Sequence, residues 1–259
     1  MSDPNAVAGL QARLTKLVLN IQFLWFIGHL TTLSQSALFI LSGGKSYYKA
    51  YYGVILCYGI ILYKCHGTPK FSRDYFQKVM TDENAQYLLL AIVWVSSAPI
   101  SVTLLPYATF SLFQFLSYTR QSVLPAIFPP VAGAASGLTQ QVSASIDKFV
   151  KANQQPALRA VAFIEVFLIL PFLIVSVFGR YASFTTPILF IQFLRFRYFF
   201  SSLTKQAVHE LRSRLDVLFG LPAVPAVVQN GYRTVRDLIV RYLGADGAAA
   251  ANANANAGN

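Results

Sequence analysis

Charged side chains are scarce in this sequence. Asp, Glu, Lys and Arg make up 12% of its 259 residues, whereas 55% of the residues are apolar. Soluble domains carry about 25% charged residues, because water solvates charge at their surface. A chain with so little charge gives much of its surface to lipid. The composition therefore predicts an all-α integral membrane protein with several transmembrane or hairpin helices.

Cysteine and histidine are also rare, and this excludes several kinds of site. Two cysteines cannot build a disulfide framework, and Cys57 lies in an apolar run where a small core residue is expected. The three histidines are far apart and have no partner at metal-ligand spacing. The sequence has no glycine-rich phosphate loop and no nucleophile elbow. We therefore predict no catalytic residue, no metal and no cofactor, and a protein that is not an enzyme.

Long apolar runs are abundant, and polar stretches separate them. A helix needs about 20 apolar residues to cross the hydrocarbon core of a bilayer. Residues 85–118 carry no charge over more than one span, but Pro99 and Pro106 interrupt them, which predicts two short helices. The runs together predict a membrane domain over 17–200 that contains three hairpins, at 17–63, 85–118 and 161–200.

Amphipathic stretches lie beside these runs. Apolar residues at helical spacing predict an interfacial helix over 138–151. From residue 201 to 243 the pattern predicts two cytosolic amphipathic helices. Residues 1–16 are assigned to an N-terminal arm, and the Ala/Asn/Gly tail over 244–259 is expected to be disordered.

The second C-terminal helix has an apolar face that arginines surround. Such a helix is typical of the membrane interface, where its apolar face enters the boundary between headgroups and acyl chains. The alternative is that the two C-terminal helices pack on each other as a cytosolic cap. The predicted membrane-binding residues are Val228, Tyr232, Arg233, Val235, Arg236, Leu238, Ile239, Arg241 and Tyr242.

The net charge of +11 is distributed unevenly along the chain. With three hairpins, 18 of the 21 basic residues fall on one side of the membrane, and only Lys45, Lys49 and Arg180 fall on the other. Because Lys and Arg favour the cytoplasmic side, both termini are predicted to be cytoplasmic. A single crossing by 85–118, giving an odd number of spans, is the rival topology. The basic residues predict contact with anionic lipid rather than with nucleic acid, because no base-recognition motif is present.

Glu165 is the most unusual ionisable residue, because it lies inside an apolar run. A carboxylate within a membrane is costly and suggests function by default. Arg195 or Arg197, on the other arm of the same hairpin, would give it a structural partner. The alternative is a small transporter or channel that uses Glu165 and the polar face of 17–41.

Several short blocks follow one another in a characteristic order between residues 146 and 218. They are Ile146-Asp147-Lys148-Phe149, Ala152-Asn153-Gln154-Gln155, Ile164-Glu165-Val166-Phe167-Leu168, Gln192-Phe193-Leu194-Arg195-Phe196-Arg197-Tyr198 and His209-Glu210-Leu211-Arg212. This stretch resembles the transmembrane protein 33 family, which includes fungal pore-membrane proteins of the nuclear envelope. The resemblance assigns the family motif to Asn153, Gln154, Gln155, Glu165, Arg195, Arg197 and Tyr198.

The resemblance implies residence in the endoplasmic reticulum membrane and the nuclear envelope. It also implies a role in tubular membrane, alongside reticulon-type proteins, and in the assembly or distribution of nuclear pore complexes. In fungal relatives the C-terminal region is expected to bind membrane and to engage an import receptor. The residues fit this role independently, because hairpins and interfacial helices that fill one leaflet favour positive curvature. The leading interpretation is therefore a non-enzymatic protein that shapes and scaffolds curved, anionic membrane.

Overall fold

All regular structure in the described part of the chain is helical. The computed structural model describes residues 4–129, 137–178, 184–239 and 241. The first seven helices are α1 (Pro4–Val18), α2 (Ile21–Ser42), α3 (Ser46–His66), α4 (Arg73–Met80), α5 (Glu83–Val95), α6 (Leu104–Tyr118) and α7 (Leu124–Ile127). The remaining helices are α8 (Leu138–Ile164), α9 (Leu170–Phe178), α10 (Thr185–Phe200), α11 (Ser202–Phe219) and α12, which spans 226–239.

The first predicted hairpin corresponds to α2 and α3, which pack directly against each other. The chain turns at Gly43 and Gly44, whose positive φ angles of 66° and 73° favour glycine. Two further glycines let the helix backbones approach closely. A β-carbon on Gly53 would lie 2.6 Å from the carbonyl oxygen of Gly28 and 2.7 Å from the hydroxyl of Thr32. Gly28 and Gly53 therefore allow the close contact between α2 and α3, because neither carries a side chain.

The uncharged stretch 85–118 contains two short helices, α5 and α6, separated by residues 96–103. Pro99 lies in this break, whereas Pro106 lies in the first turn of α6, where a missing N–H is tolerated. With 13 and 15 residues, the helices are about 20 and 22 Å long. Both are shorter than the hydrocarbon core of about 30 Å. α5 packs on α3, and α6 packs on α2.

The interfacial helix predicted over 138–151 does not end at residue 151. It continues through Pro156 to Ile164, passes through a π-helical turn at Glu165–Ile169 and runs on as α9. The polar stretch before Arg159 suggested a break there, but the helix remains intact. Residues 151–156 are all exposed, so water can satisfy the carbonyl that Pro156 leaves without a donor.

Aromatic hydroxyls connect the core of the helix bundle. Tyr51 donates to the hydroxyl of Thr103 at 2.7 Å, and Tyr47 shares that oxygen at 3.1 Å. The hydroxyl of Tyr107 donates to the carbonyl of Tyr87 at 3.0 Å. These tyrosines are fully buried, so each hydroxyl needs a partner inside the protein. They join α3, the 3₁₀ turn at Ser101–Thr103, α5 and α6.

Two helical stretches are long and apolar enough to cross a membrane by length and composition, Ile21–Ser42 and Leu138–Val177. The N-terminal arm contains α1, and the guanidinium of Arg13 donates to the carbonyl of Ala126 at 3.0 Å. Several sequence predictions lie outside the described residues. These are Tyr242, the turn at Arg180 and the tail over 244–259.

Candidate functional site: a buried charge cluster and the C-terminal hairpin

Glu165 lies at the junction of four helical elements. It opens the π-helical turn between α8 and α9, and only 1% of its surface is exposed. α5 and α10 pack beside this turn, and α11 contacts it from the C-terminal side. π-helical turns inside longer helices are frequent at functional sites, because they redirect side chains. Here the turn lies where a buried carboxylate needs partners.

Arg197 and Tyr87 are those partners. The Nε atom of Arg197 lies 3.2 Å from Oε2 of Glu165, and Arg197 is itself 5% exposed. The hydroxyl of Tyr87 donates to Oε1 of Glu165 at 2.8 Å. Of the two arginines that the sequence suggested, Arg197 thus occupies the contact with Glu165. Arg195 lies two residues earlier on α10 and is partly buried.

Arg197 contacts more than one acidic residue. Its Nη1 atom lies 3.9 Å from Oε1 of Glu83, the first residue of α5. Its Nε–H donates to the hydroxyl of Thr204 at 3.3 Å. Its guanidinium also lies 5.1 Å from the ring centre of Tyr87, within the range of a cation–π contact. One arginine therefore connects α5, the π-helical turn, α10 and the start of α11.

The hydrogen-bonding pattern shows what this cluster can do. Because the Nε–H of Arg197 is directed at Thr204, its contact with Glu165 is an ion pair without a hydrogen bond, and Oε2 of Glu165 has no donor among the described residues. A buried ion pair holds its elements together mainly because separating the charges is expensive. The geometry favours a structural role for Glu165 over transport, since the carboxylate is buried, accepts a hydrogen bond from Tyr87 and is paired with the charge of Arg197.

Of the remaining motif residues, the Asn-Gln-Gln block lies at the surface. Asn153, Gln154 and Gln155 are exposed on α8, and the amide of Asn153 donates back to the carbonyl of Phe149 at 2.8 Å. Tyr198 is partly buried at the end of α10, where its ring lies 6.2 Å from that of His209. The structure therefore brings Glu165 and Arg197 together but places the Asn-Gln-Gln block elsewhere.

The two C-terminal helices pack against each other through their polar flanks. The ring of Tyr232 on α12 stacks on that of Phe219 at 4.5 Å, and its hydroxyl donates to Oδ1 of Asp216 at 2.8 Å. Arg236 contacts the same carboxylate at 3.1 Å, and Arg212 lies 3.6 Å from its other oxygen. Tyr232 and Arg236, both predicted to contact membrane, are thus used in this hairpin.

The contacts around Asp216 change the pKa values of the groups involved. The hydrogen bonds from Tyr232 and Arg236 lower the pKa of Asp216 below its ordinary value. Partial burial, together with the hydrogen bond and charge of Asp216, raises the pKa of Tyr232 to about 12. The pKa of Arg236 is raised by its hydrogen bonds to Asp216 and Asp237. All three pKa shifts favour ionised Asp216 with protonated Tyr232 and Arg236, which is the charge state that holds α11 and α12 together.

Beside these contacts, an apolar flank of α12 remains open. Val235 is 55% exposed and Leu238 is 59% exposed, although both are apolar. Val228 and Ile239 are about half-exposed on the same side, and Arg233 and Arg241 are exposed around them. Val235 and Ile239 also line a groove of about 410 Å³ between α11 and α12. The helices thus pack on each other, yet an apolar surface remains uncovered.

The chain matches the family described as Transmembrane protein 33/Nucleoporin POM33 over residues 5–244. It belongs to this family. Tetra-spanning protein 1 of Schizosaccharomyces pombe is 32% identical over 249 residues, which cover 91% of this chain and 89% of the relative. The Pore membrane protein of 33 kDa of Saccharomyces cerevisiae is 27% identical, covering 86% and 83% of the two chains. Human Transmembrane protein 33 is 25% identical, covering 88% and 92%. No solved structure matches this chain.

Membership of the Transmembrane protein 33/Nucleoporin POM33 family confirms the predicted class, an all-helical integral membrane protein. Sequence reasoning missed three residues of the charge cluster, namely Tyr87, Glu83 and Thr204. Tyr87 lies within an uncharged run, and its neutral side chain does not indicate a charged partner. Glu83 lies two residues before that run, directly after Asp82, and its charge was the one clue that the sequence offered for these three residues. Among the described residues, no group of three side chains could hold a metal ion.

Proposed function

We propose that this chain is a non-enzymatic protein that shapes and scaffolds membrane in the endoplasmic reticulum and nuclear envelope. In this proposal it acts in the assembly or distribution of nuclear pore complexes and in the organisation of tubular membrane. The family name and the name of the budding-yeast relative, Pore membrane protein of 33 kDa, support a place at the nuclear pore. Partners on this proposal are the curved anionic bilayer, nuclear pore proteins and reticulon-type membrane proteins, with an import receptor at the C-terminal region.

The observation that carries this proposal is the open apolar flank of α12. Val235 and Leu238 of α12 are more than half exposed. α12 packs on α11, and α11 in turn contacts the membrane bundle through the hydrogen bond between Thr204 and Arg197. An amphipathic helix of this kind inserts its apolar face about 5–10 Å into the interface. Insertion into one leaflet expands that leaflet relative to the other, which favours positive curvature.

The short helices α5 and α6 support the same function. Because each is shorter than the hydrocarbon core, the pair enters the bilayer from one side and fills one leaflet more than the other. The N-terminal half of α8 adds a second interfacial surface, since Leu138 and Val142 are exposed there. With both termini on the cytoplasmic side, as proposed, the pair of α5 and α6 and the N-terminal half of α8 lie on the same side of the membrane as α12.

The exposed flank gives a direct test with the full chain. Labelled protein is reconstituted into giant vesicles that contain anionic lipid, and its density is compared between a pulled membrane tube and the flat vesicle. We expect enrichment in the tube. V235D/L238D should reduce this enrichment strongly, because charge on that flank opposes insertion.

The matched control is T234D, which adds a charge to an exposed polar position of the same helix. It should retain the enrichment of the unmodified chain. Equal enrichment of V235D/L238D and the unmodified chain would rule out α12 as the curvature-directed contact. If neither the unmodified chain nor either variant is enriched in the tube, this result would count against membrane shaping as a whole.

A further inference from the structure

The connection between α3 and α5 exposes two phenylalanines. Phe71 is fully exposed just before α4, and Phe76 is 65% exposed on that helix. Other apolar residues of α4, Val79 and Met80, are partly buried, so α4 directs one face to the protein and presents Phe76 on another. Exposure of a large aromatic side chain to water is unfavourable, so a surface that covers these two positions would stabilise them.

The protein holds this connection in place from both ends. Nε2 of His66, the last residue of α3, lies 2.7 Å from Oδ2 of Asp82, which caps α5. The ring of His66 also contacts that of Tyr75 edge-on at 6.3 Å. The hydroxyl of Ser72 accepts a hydrogen bond from the backbone N–H of Tyr75 and so caps α4. The segment is therefore positioned, and its exposed rings do not fold back onto the bundle.

Basic residues surround the exposed rings. The range 64–80 contains four basic residues, Lys64, Lys70, Arg73 and Lys78, and a single acidic one, Asp74. Lys70 directly precedes Phe71, and Lys78 lies two residues after Phe76. Exposed aromatics among lysines and arginines match an anionic bilayer surface, which offers apolar chains below negatively charged headgroups.

The position of the segment along the chain favours the same surface. α3 is apolar and ends at His66, and Phe71 follows five residues later. An extended chain covers at most about 3.6 Å per residue, so Phe71 stays within about 18 Å of the end of α3. The partly polar end of that helix, with Lys64 and His66 in its last turn, lies where a span meets the headgroups.

We propose that the segment 67–80 is a second interfacial anchor, separate from the C-terminal hairpin. Phe71 and Phe76 insert beside the headgroups of the bilayer that contains the bundle, and Lys70, Arg73 and Lys78 contact anionic lipid. The anchor lies where the C-terminal end of α3 connects to the N-terminal end of α5. It fixes the depth of α3 and α5 in the bilayer independently of α12.

Site-directed spin labelling of the full chain tests this anchor. Labels are placed one at a time at 71, 76 and 74 in a Cys65→Ser background, in which the remaining cysteine, Cys57, is buried. The protein is reconstituted in nanodiscs with and without phosphatidylserine. Collision with oxygen, which concentrates in lipid, is compared with collision with a water-soluble nickel complex.

Labels at 71 and 76 should show an oxygen-to-nickel ratio several-fold above that at the control position 74. The difference should grow with phosphatidylserine and shrink with added salt. Ratios at 71 and 76 equal to that at 74 would overturn the anchor. Shielding of 71 and 76 from both reagents, in detergent as well as in nanodiscs, would also overturn it, because protein would then cover the rings.

Discussion

Arg197 makes contacts with residues of more than one helix. It neutralises the buried carboxylate of Glu165 and at the same time holds Thr204 at the start of α11. Removing one member of a buried pair leaves the other charge without compensation, and this is more costly than replacing both. The stability of the bundle and the docking of α11 therefore depend on the same side chain.

Arg197→Met should destabilise the protein by about 3–5 kcal/mol, because Glu165 would remain buried without a positive partner. The measurement is thermal unfolding of the purified protein in detergent. Lys151→Met is the matched control, since it removes a basic partner from an exposed i,i+4 pair with Asp147. Such solvent-exposed pairs contribute little to stability. A similar loss of stability in the two variants would contradict the assignment of Glu165 and Arg197 as a buried ion pair that stabilises the bundle.

The helix pair α2–α3 depends on the absence of side-chain atoms at its crossing. We expect Gly53→Ala to destabilise the pair by about 1–3 kcal/mol, because the new methyl group would overlap the backbone of α2. Gly59→Ala lies on the same helix and meets no atom within 4 Å, so it should leave the unfolding temperature unchanged or raise it. If both variants unfold at the same temperature, close packing at Gly53 is not required.

The hairpin of α11 and α12 gives a prediction about pH. Asp216→Asn should lower the pKa of Tyr232 from about 12 towards the ordinary value of about 10, because the negative charge and the charged acceptor are removed. A ring-labelled NMR titration measures this pKa directly. Glu210→Gln, on the same helix but paired with Arg214, is the control and should leave it unchanged.

The sign of the stability effect follows from the same shift. The folded-state pKa of Tyr232 lies above its unfolded value, so its contribution to stability is complete below about pH 10. It is lost as the pH rises through the folded pKa of about 12. The depressed pKa of Asp216 acts in the opposite sense, and its contribution is lost as the pH falls below its unfolded value of about 3.9. Both contributions to the contact between α11 and α12 are therefore present at neutral pH.

The sequence predicted helices better than it predicted where they end. Apolar runs correctly indicated α2, α3 and the short pair α5 and α6, because burial in lipid or protein requires continuous apolar surface. The division between 138–151 and 161–200 was wrong in one respect, since α8 crosses the polar stretch without a break. The sequence assigned these two stretches to separate segments, but exposure to water lets a helix pass through the glutamines and Pro156. Local composition does not contain this information.

The candidate site was predictable only in part, for a similar reason. A carboxylate in an apolar run requires a positive partner, so Glu165 itself pointed to the arginines of α10. Tyr87 and Thr204 are neutral residues that only tertiary packing brings to the cluster. The contacts of Tyr232 with α11 were likewise not evident, because its spacing on α12 also matches a lipid-facing stripe. Pairing of opposite charges across one hairpin can be read from a sequence, whereas neutral hydrogen-bond partners, or an acidic partner on another helix such as Glu83, cannot.

At the scale of the whole molecule, the uneven charge predicts which segments face the cytosol. In a Cys65→Ser background, single cysteines are placed at 45, in the turn between α2 and α3, and at 70, between α3 and α4. We expect a membrane-impermeant maleimide to label position 70 in sealed endoplasmic-reticulum vesicles and position 45 only after detergent is added. α3, with 21 residues, is about 31 Å long and so can separate the two. Labelling of both positions in sealed vesicles would contradict a full crossing by α3.

The buried pair also constrains how the chain is made. Glu165 precedes Arg197 by 32 residues, so the carboxylate leaves the ribosome well before the guanidinium that neutralises it. A lone carboxylate enters the bilayer at a considerable cost. This cost is avoided when Glu165 and Arg197 pair before either arm enters the lipid. Insertion of the two arms as one unit is therefore the favoured route, and α11 can then dock on Arg197 through Thr204.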